Sequence, residues 1–263
     1  VTEYADGALQ LKVDGPAATV ILSRPKARNA LNLAMWRALP QLLSDLAPRR
    51  ELRALVVRGA GGHFASGADI GEFDAVFADH ASALAYGRLL EAATGALAAF
   101  DRPVIAVIEG YCIGAGLAIA LACDLRIAAE DAALGAPPAK LGLIYSLADT
   151  RRLVQAVGAS AAKAMLFTAA LRTAPQALQL GLVDEVHAVE ALEAAAAARV
   201  VELSALSPSS IRTAKTMVGR VLDGQLDDDD QTRAWFADAA TGVDFAEGLA
   251  AFRGKRKPVF PDR

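Results

Sequence analysis

The 263-residue chain reads as an α/β protein: short buried strands joined by helical crossovers, followed by a helical C-terminal segment. Three observations lead there. Short β-prone apolar runs recur at residues 55–57, 104–108 and 125–128, each separated from the next by a helical stretch. Hydrophobic residues make up 54% of the chain but aromatics only 6%, so Ala, Leu and Val carry the core, which suits closely packed helices. From Arg151 onward the pattern is almost wholly helical, apart from a strand expected over 182–186. The division falls near residue 190, giving a core over 1–190 and a helical region over 191–263.

Element by element, Leu9, Leu11 and Val13 alternate with Gln10 and Lys12. Asp14-Gly15-Pro16 then turns the chain into a second apolar run over 18–22, so a β-hairpin is expected. Asn32 can cap a helix over 33–46, which Pro40 should kink. The strand at 55–57 stops at Gly59, Gly61 and Gly62. A helix over 81–100 leads to the strand at 104–108, a glycine-containing turn over 110–116 and an Ala/Leu helix. The four acids at 227–230 read as a solvated helix start, since a helix N-terminus favours negative charge; they lack the alternating spacing and glycine of a calcium loop.

Composition also excludes. The net charge is −3 and the pI near 5.7, so no basic face points to nucleic acid. Cys112 and Cys123 lie in apolar sequence, which gives no disulfide framework and fits a reducing compartment. The longest uncharged run, 110–123, has 14 residues and is too short to span a bilayer. With no secretory pattern at the N-terminus, a soluble cytoplasmic protein without a membrane partner is expected. His63, His80 and His187 stand in separate segments, so no metal site is expected.

Two segments carry chemistry: 61–70 after the strand at 55–57, and 109–116 after the strand at 104–108. Each reads as a strand, a small-residue turn and a helix start, where free backbone N–H groups and the helix dipole face the turn. Side by side they could bind a phosphate, or aim two donors at one oxygen as an oxyanion hole, each donor worth roughly 3 kcal/mol in a transition state. Neither a Walker sequence nor a full dinucleotide fingerprint is present.

Residues 23–32 (SRPKARNALN) resemble the entry motif of the crotonase, or enoyl-CoA hydratase/isomerase, superfamily. Residues 66–70 (SGADI) are similar to its first oxyanion segment and 109–116 (EGYCIGAG), continuing to Ala122-Cys123-Asp124, to its second. Glu247-Gly248 and 252–260 (FRGKRKPVF) match its end. The resemblance implies a crotonase-like spiral of ββα units with a C-terminal trimerisation region that covers the CoA site, in a homotrimer or dimer of trimers. It implies an acyl-CoA substrate and no separate cofactor, coenzyme A being part of the substrate. Carried over, the thioester enolate is stabilised by the N–H groups of Ala68 and Ala115, the latter tolerable in place of glycine if its φ is negative. Lys26, Ala27 and Arg28 fall where the family contacts CoA. Ala65, Ser66, Gly67, Asp69, Ile70 and Gly114 form the turns that hold it, and Lys255, Lys257 and Phe260 fall where the C-terminal segment approaches the nucleotide. Tyr86 and Leu89 match the acyl pocket.

The family's two hydratase glutamates match Ala118 and Pro138, neither of which can transfer a proton. Each such group contributes about 10²–10⁴-fold, so ordinary hydration is not expected. Tyr145 stands where hydratases usually carry proline, and members that decarboxylate malonyl-type CoA esters resemble this chain in having tyrosine there. Asp149, before Thr150-Arg151-Arg152, is either a helix cap or a relocated base; Glu72 is a second relocated-base candidate, and Ser66 and Ser146 can bond a ligand. Three readings follow: a hydratase/isomerase relative with moved proton-transfer groups, a decarboxylating lyase using Tyr145, and a non-catalytic acyl-CoA binder.

Overall fold

In a computed structural model, which describes residues 1–261, the strands are β1 (Thr2–Tyr4), β2 (Leu9–Asp14), β3 (Ala17–Leu22), β4 (Ala54–Gly59), β5 (Val104–Ile108), β6 (Tyr111–Ile113), β7 (Leu125–Ala129), β8 (Ala133–Gly135), β9 (Arg172–Thr173) and β10 (Glu185–His187). The helices are α1 (Leu33–Leu46), α2 (Phe73–Val76), α3 (His80–Ala98), α4 (Ala115–Ala122), α5 (Leu147–Thr168), α6 (Ala174–Gln179), α7 (Leu192–Ser204), α8 (Pro208–Leu222), α9 (Asp230–Thr241) and α10 (Val243–Arg253). A large sheet runs β1-β2-β3-β4-β5-β7-β10 and a small one β6-β8-β9. After β4, each turn of the chain gives one strand to each sheet and then a helix: β5, β6, α4, then β7, β8, α5. This is the expected spiral of ββα units.

The hairpin forms as the alternation predicts, with Leu11 opposite Val20 and Leu9, Leu11, Ala18, Val20 and Leu22 buried. Asn32 caps α1 through the Met35 N–H. Met35, Trp36, Leu39, Leu42, Leu43 and Leu46 bury one face of that helix, which is continuous through Pro40. From β3 to β10 the large sheet is parallel. All of β5 is buried because both faces are covered. Leu55, Val57, Ala106 and Ile108 face the core that holds α1 and α4. Val56, Ile105, Val107 and Ile127 face Leu192, Ala196 and Val200 of α7. The change to helical sequence near residue 190 is therefore no break in packing, because α7 belongs to the sheet.

Several boundaries differ from expectation. The strand predicted over 182–186 is Glu185–His187; Leu182 and Val183 are buried but lie before the ladder with β7 begins. Within the turn expected over 110–116, Tyr111–Ile113 form β6, paired to β8. Helix α5 begins at Leu147 and breaks at Gly158, whose φ is +76°. The acidic run ends as foreseen, with Asp229 capping α9.

The parallel strands give the molecule two chemically different ends. Their C-terminal ends lead into the turns at 60–70 and 109–116. At their N-terminal ends, Lys215 of α8 bonds the Arg102 carbonyl (3.1 Å), just before β5, and the Asp124 carboxylate (2.7 Å), just before β7. Arg53, just before β4, donates to the Phe260 carbonyl at 3.0 Å. The C-terminal segment is thus anchored at the end of the sheet opposite the glycine turns. Among the described residues no helix is long and apolar enough to cross a membrane.

Candidate functional site

The first turn leaves β4 by folding sharply on itself: a β-carbon on Gly59 would stand 1.8 Å from the His63 carbonyl oxygen. Asn29, buried and left-handed (φ +58°), clamps it by donating from Nδ2 to the Ala60 and His63 carbonyls (2.8 and 2.6 Å) while accepting from the Arg24 N–H. Sequence reasoning had not singled out Asn29; an Arg28-Asn29 pair in positive φ is visible only once the loop is seen. Further along, Leu31 N–H donates to Gly67 and Asp69 N–H to Leu31. This parallel bridge between Leu31 and Ala68 uses the groups flanking Ala68, so the Ala68 N–H points away from it.

The second turn is tied to the first. Ala65 donates to Tyr111 (2.8 Å) and accepts from Ile113 (3.0 Å). Gly67 (φ +123°) and Gly114 (φ +56°) are backbones only glycine adopts readily, and a β-carbon on Gly114 would already be 3.8 Å from the Gly67 α-carbon. One residue beyond each of these neighbouring glycines lies an alanine. Among the described residues, neither the Ala68 nor the Ala115 N–H has a hydrogen-bond acceptor. Ala115 opens α4 with a negative φ, so its methyl group causes no backbone strain. The helix start expected after the first turn is only a 3-10 turn (Ile70–Glu72) and the four-residue α2, so the bridge to Leu31, not a long helix, orients Ala68. Two unpaired donors projecting from adjoining turns are suited to an oxygen that gains negative charge.

The acids near these turns are engaged elsewhere. Asp69 pairs with Arg24 (2.8 Å) and caps the Gly71 N–H. Glu72 accepts the Leu33 N–H at 2.8 Å, at the start of α1. Asp149 is not the helix cap; Ser146 is, accepting the Asp149 N–H. The buried Asp149 carboxylate accepts from the Ser146 hydroxyl (2.8 Å) and from Arg152 (3.0 Å), which also reaches Thr94. Ser66 donates to the Ala27 carbonyl. At the positions matched to the family glutamates, Ala118 is buried and Pro138 half-buried.

Tyr145 does meet the second turn: its hydroxyl donates to the Gly114 carbonyl at 2.5 Å. Burial first, then the charge of Asp149, raise its phenol well above the usual range, so it stays protonated. Tyr86 is buried edge-on against Phe77, and burial pushes its phenol up to about 12. Leu89 packs half-buried on the core.

Around the entry loop, Lys26 and Arg28 are exposed. The Arg28 guanidinium lies 5.1 Å from the Tyr111 ring, on which His63 stacks. His63 also accepts the Tyr111 N–H, so it is a loop residue. The structure brings residues 26–28, 65–70 and 114–115 together. Phe260 is not among them: six residues of β4, about 20 Å, separate Arg53 and its Phe260 partner from the first turn, and Lys255 and Lys257 are exposed. Cys112 and Cys123 are buried, and burial raises both thiols, that of Cys123 to about 12. Among the described residues no cluster of metal-ligating side chains occurs.

Residues 14–263 match the enoyl-CoA hydratase/isomerase family. The 2,3-dehydroadipyl-CoA hydratase of Escherichia coli is 34% identical over 243 residues, 92% of this chain and 94% of that protein. Among solved structures, an enoyl-CoA hydratase/isomerase family protein from Hyphomonas neptunium superposes with a TM-score of 0.94 at 38% identity, over 97% of this chain and 98% of that one. An enoyl-CoA hydratase from Bacillus anthracis gives 0.91 at 28% identity, over 97% and 99%.

Proposed function

From the premise that this chain belongs to the enoyl-CoA hydratase/isomerase family, we propose that it processes an acyl-CoA by holding the thioester oxygen between the N–H groups of Ala68 and Ala115 while an enolate forms. The observation that carries this is the pair of unsatisfied donors one residue beyond the neighbouring Gly67 and Gly114. Each is worth roughly 3 kcal/mol once charge develops on the oxygen. Coenzyme A arrives with the substrate, near Lys26, Ala27 and Arg28, and no separate cofactor is invoked.

The step we assign is not ordinary hydration. The side chains of Ala118 and Pro138 cannot transfer a proton, and Asp69, Glu72 and Asp149 are held in caps and ion pairs. Loss of carbon dioxide from a malonyl-type thioester needs no base: the bond from the α-carbon to the carboxylate breaks, its electron pair becomes the enolate, and the α-carbon then takes a proton from water. Apolar Ala118 and Pro138 favour a reaction that discharges a carboxylate as a neutral gas.

We further propose that Lys255, Lys257 and Phe260 meet the nucleotide of a neighbouring copy in a homotrimer or a dimer of trimers, a reading supported by Arg53 holding the Phe260 carbonyl at the far end of the sheet. Buried free thiols fit a reducing, cytoplasmic setting.

Mass spectrometry of 2-enoyl, 3-enoyl, saturated and malonyl-type CoA esters incubated with the protein in D₂O tests the assignment. Carbon dioxide lost with deuterium gained supports the lyase. Water added to an enoyl ester overturns it and returns the chain to hydration. Binding without any change in any ester would make it an acyl-CoA binder.

A further inference from the structure

We propose that Tyr145 is a positioning residue for the second thioester donor and acts through the peptide that joins Gly114 to Ala115. Its hydroxyl donates to the Gly114 carbonyl at 2.5 Å, and that carbonyl shares one peptide unit with the Ala115 N–H. The unit is trans, so its C=O and N–H point in opposite directions: Tyr145 holds one end and the substrate oxygen meets the other. A donor on the carbonyl draws electron density from the nitrogen, and consecutive bonds of this kind strengthen one another by roughly 10–30%.

The peptide needs such a hold. Gly114 has no side chain to limit its rotation, and its backbone lies at φ +56°, ψ −118°. Its N–H is fixed by the Gly135 carbonyl (2.8 Å), and its own carbonyl is fixed by the Ala118 N–H (3.0 Å) and Tyr145. Tyr145 is in turn fixed by its neighbour Ser146, which caps α5 and donates from its hydroxyl to Asp149, itself paired to Arg152. The chain of contacts runs from the body of α5 to the Ala115 N–H. It leaves the phenolic proton on Gly114 rather than on the substrate, so the tyrosine serves as a brace and not as an acid.

This inference rests on Ala68 and Ala115 being the thioester donors, and the experiment separates the two ideas. Protein labelled with [1-¹³C]glycine and [¹⁵N]alanine shows amide signals only from Gly–Ala steps, which include both Gly67–Ala68 and Gly114–Ala115. With [1-¹³C]butyryl-CoA as the probe, the thioester carbon should move downfield on binding, and both donor amides should shift. In Tyr145→Phe the Ala115 amide should move upfield before any ligand is added while Ala68 stays in place. The downfield shift of the thioester should shrink, and on the substrate found by the ester panel kcat should fall about tenfold with KM within about twofold. A fluorotyrosine at position 145 keeps the fold and donates more strongly, so it should move the Ala115 amide the opposite way, which decides the matter if the phenylalanine variant does not fold. An Ala115 amide indifferent to both changes would overturn the brace alone. A wild-type protein that binds the probe without moving the thioester carbon, or fails to bind it, would overturn the oxyanion reading and the brace together.

Discussion

Gly116 faces Ala65 so closely that a β-carbon on it would stand 2.5 Å from the Ala65 carbonyl oxygen and 2.8 Å from the Ala65 methyl carbon. The first turn of α4 therefore rests directly on the first glycine turn. Gly116→Ala must push α4 back, at a cost of about 1–3 kcal/mol for overpacking. Because Ala115 moves with the helix, turnover per folded molecule should fall as well. Urea unfolding together with an enolate-exchange assay checks both; a variant that is destabilised yet fully active would show that the register of α4 is not what aims the donor.

Ala115→Pro replaces the N–H with a ring methylene that points the same way, so it removes the donor and crowds the proposed seat of the oxygen. Proline is well accepted at the first position of a helix, where Ala115 stands, so the fold should survive. Turnover should drop by about 10²–10³-fold, the loss typical of one oxyanion donor. Ala115→Gly, which keeps the N–H, should stay within a few-fold of wild type. Equal rates for the two variants would remove the Ala115 amide from the chemistry.

Asp149 and Arg152 form a pair whose side chains are only 10% and 12% exposed. Asp149→Asn leaves the arginine charge without its partner and should cost roughly 3 kcal/mol. Deuterium exchange at the substrate α-carbon should persist in whatever fraction stays folded. If exchange vanished at an unchanged melting temperature, Asp149 would be the proton-transfer group after all.

Acid should loosen the C-terminal segment over a defined window. Glu247 accepts from Arg256 (2.6 Å) and from the Val259 N–H (2.7 Å), which pull its carboxyl from an ordinary 4.5 down to about 2. A depressed carboxylate stabilises the folded state above its unfolded value and loses that contribution as pH falls through its folded one. Hydrogen exchange at Val259, taken relative to the intrinsic amide rate at each pH, should stay slow at pH 5 and quicken between about 4.5 and 2. Glu247→Gln should make it fast throughout; a flat profile in the wild type would show that other contacts hold the tail.

Much of the fold could be read from the chain because its signals are local. The alternation over 9–22, the Asn32 cap and the apolar run at 104–108 each name their element without reference to a distant partner. What escaped depends on distant partners. Strands β6 and β8 are three residues each and exist because they pair with one another 22 positions apart in the chain, so a glycine-bearing stretch reads as a simple turn. The glycines of the site were plain in sequence, since a positive φ demands them. The hydrogen bond from Tyr145 to Gly114 spans 31 positions and leaves no periodicity behind. Phe260 carries an aromatic ring suited to a nucleotide, but its distance from the turns is set by which end of a parallel strand the tail meets. No local pattern encodes that.

Both proposed donors are main-chain groups of residues that are already alanine. A survey that truncates every side chain to a methyl group would therefore pass over Ala68 and Ala115 without registering them, and the most damaging substitutions would map to Gly67, Gly114, Gly116 and Tyr145 alongside. Enzymologists hunting this centre by deleting functional groups would find a ring of sensitive neighbours around two silent positions, and the silence is itself the signature of a catalyst made of backbone.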